Sequence, residues 1–153
     1  MKTQAHPATR HLTAALCYTV LALTGGVFYH EFTKALAYTG YTTLSGVHTH
    51  YFAMGMVFFL LLALLERVYP LTGHKHALRA IVTYHVGLNI TVAGLIFRGV
   101  LQATGAVLSR GADASVSGVS GIGHAVLGVS LVIILFGLRD SARQDEKAAS
   151  LIQ

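Results

Sequence analysis

Apolar residues fall into four long runs along this chain, parted by short stretches where charged and turn-forming residues gather. The first run, "HLTAALCYTVLALTGGVFYH", covers about residues 11–31 and closes on His30, Glu31 and Lys34. The second, "GVHTHYFAMGMVFFLLLALLERV", covers about 46–68 and gives way to a turn at Pro70 and Gly73. The third, about 78–104, holds His85, Asn89 and Arg98, and the fourth covers about 118–138. Each is long enough to cross a hydrocarbon layer about 30 Å thick as a helix. A helix satisfies its own backbone there, so the pattern predicts an all-α integral membrane protein with four transmembrane helices. The Gly/Ala/Ser segment Gly105–Ser117 reads as a loop, residues 1–10 as a short N-terminal segment, and 139–153 as a charged tail. The first run exceeds a signal-peptide core and no A-x-A site follows it, so it reads as a retained helix.

Composition narrows this further. Of 153 residues, 54% are hydrophobic and 11% charged, against about 25% charged in a soluble domain. No second, soluble domain is expected. Cys17 is the single cysteine; it excludes an internal disulfide and reads as a small packing residue. The net charge of +5 comes from residues beside the apolar runs, without an interleaved aromatic patch, so nucleic acid is not an expected partner. Lys2, Arg10, Arg67, Lys75, Arg79, Arg139, Arg143 and Lys147 fall on one side, against Lys34 and Arg110 on the other. The positive-inside rule then predicts that both termini are cytoplasmic. Small residues such as Gly87 with Gly94, or Gly121 with Ala125 and Gly128, read first as helix contacts.

With that orientation His30, His48, His50 and His124 converge near the outer face. His6, His11, His74 and His76 read as solvated or interfacial, and His85 lies about two turns in from the cytoplasmic side. A polar side chain within the bilayer needs a partner or cavity, and neutral imidazole is a common metal and haem ligand. His48 and His50, two apart on a helix, are rotated by about 200° and must serve different pockets. His48 heads a stripe of Phe52, Gly55 and Phe59; His50 heads Met54, Val57 and Leu61. Gly55 would admit a porphyrin edge, or else serve as a helix contact. Arg98 would pair with a haem propionate, with Glu31, or with carbonyls at a helix end. His85 and Asn89, one turn apart, read as an interhelical hydrogen-bonding pair.

The segment "GVHTHYFAMGMVFF", Gly46 to Phe59, resembles the tenth helix of subunit I of haem-copper oxidases: H-x-H-Y, then Met-Gly and Val-Phe. The match covers about one tenth of the chain. In that family the first histidine binds the high-spin haem and the second the low-spin haem. Subunit I has twelve helices in three pseudo-equivalent arcs of four, with ligands largely on the second helix of each. The resemblance therefore implies a minimal four-helix relative, an oxidase-like arc, that three copies complete. A homotrimer is expected, with haem b between His48 of one copy and His50 of the next; His30 or His124 paired with one of them is the alternative within a protomer. Arg98 matches the family's propionate-binding arginines. The oxidases' three copper-binding histidines and modified tyrosine are missing, so oxygen reduction is not expected; a zinc or copper accessory site at His30 and His124 stays open. The whole chain also resembles the bacterial membrane family known as domain of unknown function 2871, which implies a multi-pass protein of the bacterial cytoplasmic membrane.

Bis-histidine haem ligation implies electron transfer, with quinol or another carrier as partner. Two other functions fit the same residues. One is a divalent-metal binder or transporter using the outer histidines with Glu31; the other is a membrane assembly subunit that binds nothing.

Overall fold

In the computed structural model, residues 7–71 and 75–151 are described; Lys2, His6, Gly73 and His74 lie outside them. The protein is all-helical among these residues: α1 (Pro7–Ala35), α2 (Ser45–Val68), α3 (Lys75–Thr104) and α4 (Arg110–Ser150). All four are long and apolar enough to cross a bilayer, as the hydropathy pattern predicts, and the chain is a multi-pass membrane protein. Pro7 and Pro70 line one cavity and Gly137 meets Leu71, which defines the terminal end. At the far end, the α1–α2 connection is pinned to α3: the Thr42 hydroxyl donates to the Gly99 carbonyl at 2.8 Å, and the Thr43 N–H to Gln102 Oε1 at 2.8 Å.

The helices pack in chain order, α1 on α2, α2 on α3 and α3 on α4. Their packing faces are built from small residues. On α1 the buried positions are Ala8, His11, Ala15, Tyr18 and Ala22, spaced three and four apart in a single narrow stripe. The alanines let α2 approach closely, and beyond them Gly25 abuts Val47. Cys17 is off this stripe and exposed, so it is not the packing residue expected. On the α3–α4 seam, Gly87 faces the Leu127 backbone, Gly94 faces Ser120 and Gly123 faces Thr91, whereas Gly121 and Gly128 have open space beside them. The glycines expected as contacts thus divide by face.

Two features depart from the expected elements. α4 begins at Arg110, within the segment read as a loop, and continues through the charged tail to Ser150. Ser109 explains the early start: its hydroxyl accepts the Ala112 N–H at 3.3 Å, and Asp113 in the first turn complements the helix dipole. At 41 residues α4 is roughly 60 Å long, far more than a bilayer core needs. The second departure lies within α2, where Tyr51–Val57 winds as a π-helix between α-helical Ser45–His50 and Phe58–Val68. Two tyrosines bracket the wide turn. Tyr84 of α3 donates its hydroxyl to the Met54 carbonyl at 2.8 Å, and the Tyr18 ring of α1 lies against Gly55. Such π segments are rare and frequently mark functional sites.

Candidate functional site

His48 and His50 occupy the α-helical start of α2, immediately before the π segment. They face different neighbours. His48 looks onto Gly26 of α1, while His50 sits beside Gly46. His50 Nδ1 is 2.7 Å from the Gly46 carbonyl, four residues earlier. A carbonyl only accepts, so the proton is on Nδ1 and Nε2 presents a bare lone pair. His124 on α4 repeats the device, its Nδ1 donating to the Ser120 carbonyl at 2.9 Å. The two rings stand 6.1 Å apart, centroid to centroid, with their planes at 86°. An imidazole that ligates a metal through Nε2 commonly donates its other N–H to a carbonyl in this way. Met54, Phe58, Tyr84 and His124 line an adjacent cavity of about 290 Å³.

His48 offers a different signal. Its Nδ1 is enclosed and has no hydrogen-bond partner among the described residues, a condition that calls for an explanation in a native fold. Gly26, across from it, leaves the space that a side chain would fill.

The other expected site residues are distributed elsewhere. His30 is exposed and pairs with its neighbour Glu31 at 2.9 Å; α1 packs on α2 and α4 on α3, so His30 is not brought to His124. Arg98 pairs neither with Glu31 nor with helix-end carbonyls alone. Its Nη2 donates to Asp113 Oδ1 at 3.0 Å and to Ser117 Oγ at 2.7 Å, both on α4. The early start of α4 supplies this counter-charge, which the loop reading of Gly105–Ser117 concealed. Gly55 serves as a helix contact: a Cβ there would lie 2.5 Å from Tyr18 Cγ, so no space is left for a porphyrin edge. Met54, by contrast, is partly exposed and borders the cavity beside His124.

His11 corrects the solvated reading. It is 5% exposed and its Nε2 lies 3.9 Å from Glu66 Oε2, itself in a residue only 5% exposed. His85 and Asn89 hold more than each other. Tyr18 Oη is 2.7 Å from His85 Nδ1, Asn89 Nδ2 donates to Tyr18 Oη at 3.2 Å and to the His85 carbonyl at 2.8 Å, and Tyr51 donates to Asn89 Oδ1 at 3.0 Å. Phe59 stacks on His85 at 4.4 Å. Tyr18 and Tyr51 were missed because a tyrosine in an apolar run reads as packing; only their joint spacing with Asn89 across three helices gives them a polar role.

Among the described residues, no group of three His, Cys, Asp or Glu side chains gathers closely enough to hold a metal ion. No curated protein and no solved structure matches the chain. One family model does, over residues 9–141, which is most of the four-helix region, and the chain therefore belongs to the family described as Protein of unknown function (DUF2871).

Proposed function

We propose that this chain is a b-type haem-binding protein of the bacterial cytoplasmic membrane that carries electrons, with the H-x-H segment of α2 supplying axial ligands. The observation that supports it most is the His50–His124 pair. Two metal–nitrogen bonds of about 2 Å, with the radius of each ring added, put the centres of two axial imidazoles roughly 6 Å apart, and the observed spacing is 6.1 Å. Perpendicular planes are compatible with a shared axis, since each ring can turn about its own metal–nitrogen bond. Both rings already hold the tautomer that leaves Nε2 free. Two donors suit a haem, which brings four nitrogens of its own; a bare divalent cation needs more side chains than gather here. When bound, the haem would supply one-electron chemistry, with His50 and His124 as the residues that would hold it.

This reading takes the alternative within a protomer, His50 with His124, ahead of His48 with His50 across protomers. His48 then serves a second site on the opposite face of α2, completed by a neighbouring copy. A trimer of twelve helices is the form proposed, from the four helices of each copy. Lysine and arginine bias supports a cytoplasmic terminal end.

The decisive experiment is a visible spectrum and pyridine haemochrome assay on protein purified from membranes supplied with haem. A low-spin b-type spectrum is expected, reduced or lost in both His50→Ala and His124→Ala. A colourless protein, or a native spectrum in both variants, would overturn the reading; stoichiometric zinc or copper in a colourless protein would favour the divalent-metal alternative.

A further inference from the structure

The Tyr18–His85–Asn89–Tyr51 network has one unused hydrogen-bonding position, and its location is informative. Asn89 Nδ2 donates to Tyr18 Oη, and Tyr51 donates to Asn89 Oδ1. Tyr18 therefore finds an acceptor for its own hydrogen only at His85 Nδ1, 2.7 Å away. That arrangement satisfies every hydroxyl and amide in the network. It leaves neutral His85 with its proton on Nε2, and this N–H has no partner among the described residues.

His85 and Asn89 open onto a shallow groove of about 470 Å³ along the outer face of α3, bordered by Val86, Ile90 and Ala93 of the same helix. Asn89 is at the midpoint of the 30-residue α3 and is exposed on the outside of the bundle. Within a bilayer the groove is reached sideways, from hydrocarbon. The unpaired N–H is on His85, one turn from Asn89 towards the terminal end; unpaired in hydrocarbon it is unfavourable, so the position calls for a molecule that dissolves in the membrane and offers an oxygen.

We infer that this groove binds the head group of a membrane quinone. The histidine edge is matched to a quinone: with Nδ1 accepting from Tyr18, Nε2–H donates to a quinone carbonyl oxygen. An acyl ester carbonyl belongs to the interfacial layer, outside the hydrocarbon core. The flanking aliphatic side chains suit a planar ring with an isoprenoid tail. Tyr51, at the other end of the network, is the residue after His50, so the groove lies one hydrogen-bonded chain away from the segment proposed to ligate iron. The inference deepens the electron-carrier reading by naming the class of its partner, and rests on it for that partnership alone.

The test uses the full chain in nanodiscs, with decylubiquinone for equilibrium binding and an azido-quinone for photolabelling followed by peptide mapping. Saturable binding is expected, with label concentrated on residues 85–93. His85→Phe, which keeps the stack on Phe59, and Ala93→Phe, which fills the groove without touching the network, should each weaken binding at least tenfold. Label spread over all four helices, or unchanged affinity in Ala93→Phe, would overturn the site. So would an efficient disulfide between copies at Ala93→Cys, because a second chain would then cover the groove. Binding is read whether or not the protein is coloured. Absent haem with intact binding overturns the iron reading alone, and an intact spectrum without binding overturns the groove alone.

Discussion

Tyr18 on α1 lies 2.7 Å from His85 Nδ1 on α3, and its ring fills the hollow over Gly55 of the intervening α2. One side chain thus ties three helices. Tyr18→Phe keeps the ring and removes both this bond and the one from Asn89, and should destabilise the protein by about 0.6 kcal/mol per bond, with about 1.7 kcal/mol the most for any one, as for interhelical hydrogen bonds in membranes. A double-mutant cycle with His85→Phe, read by thermal unfolding in one detergent, checks this. A coupling near zero would show that the contact is geometric only.

Gly55→Ala probes the other half of that relationship. Its Cβ would meet Tyr18 Cγ at 2.5 Å, and neither partner is a flexible chain end, so a loss of about 1–3 kcal/mol is expected from overpacking. Combining it with Tyr18→Leu, whose narrower side chain yields, should recover part of the loss. Strict additivity in unfolding midpoints would mean the two residues do not meet.

His11 and Glu66 make a second test of buried polarity. Either change alone, His11→Phe or Glu66→Leu, removes this contact and leaves the other buried polar group without it, at an expected loss of about 1–3 kcal/mol. The double change replaces both by apolar groups and should be milder than the sum of the two, as found when buried ion pairs are replaced whole. Chemical denaturation of the three variants gives the comparison. A double variant as damaged as the sum would remove the pairing.

These residues show what the sequence could and could not disclose. Hydropathy alone locates the four helices, because an apolar run of bilayer length has few other solutions. The opposed faces of His48 and His50 follow from helical pitch, since both precede the π segment. Beyond that point pitch misleads, for the π turn depends on Tyr84 and Tyr18 arriving from other helices. The burial of His11 depends likewise on Glu66, fifty-five positions away along the chain. Ser109 and Asp113 were a readable capping signal for α4, hidden by the Gly/Ala/Ser composition around them.

Arg98 and Asp113 are both partly exposed, so their 3.0 Å pair should be worth less than about 1 kcal/mol and weaken with salt. Asp113→Asn should lower the unfolding midpoint slightly in dilute buffer and negligibly at 1 M salt. A large loss that persists at high salt would mean that Asp113 acts chiefly through the cap of α4, and Ser109→Ala would then reproduce it.

Gly123 and Gly128 separate packing from ligation. Both are on α4, but a Cβ at Gly123 would approach the Thr91 backbone nitrogen to 2.8 Å, while one at Gly128 meets nothing within 4 Å. Backbone cannot step aside as a side-chain tip does, so Gly123→Ala must push α4 away from α3. His124 is the next residue, and its ring is held to the α4 backbone through Ser120. The displacement should therefore lengthen the 6.1 Å approach to His50. In haem-loaded protein Gly123→Ala should shift or broaden the low-spin bands while the helical circular dichroism stays native. Gly128→Ala moves no helix, its Cβ entering only the cavity beside His124; it should change the spectrum less than Gly123→Ala and raise stability slightly, since alanine favours a helix over glycine by up to about 1 kcal/mol. Identical spectra for the two variants would detach His124 from the iron.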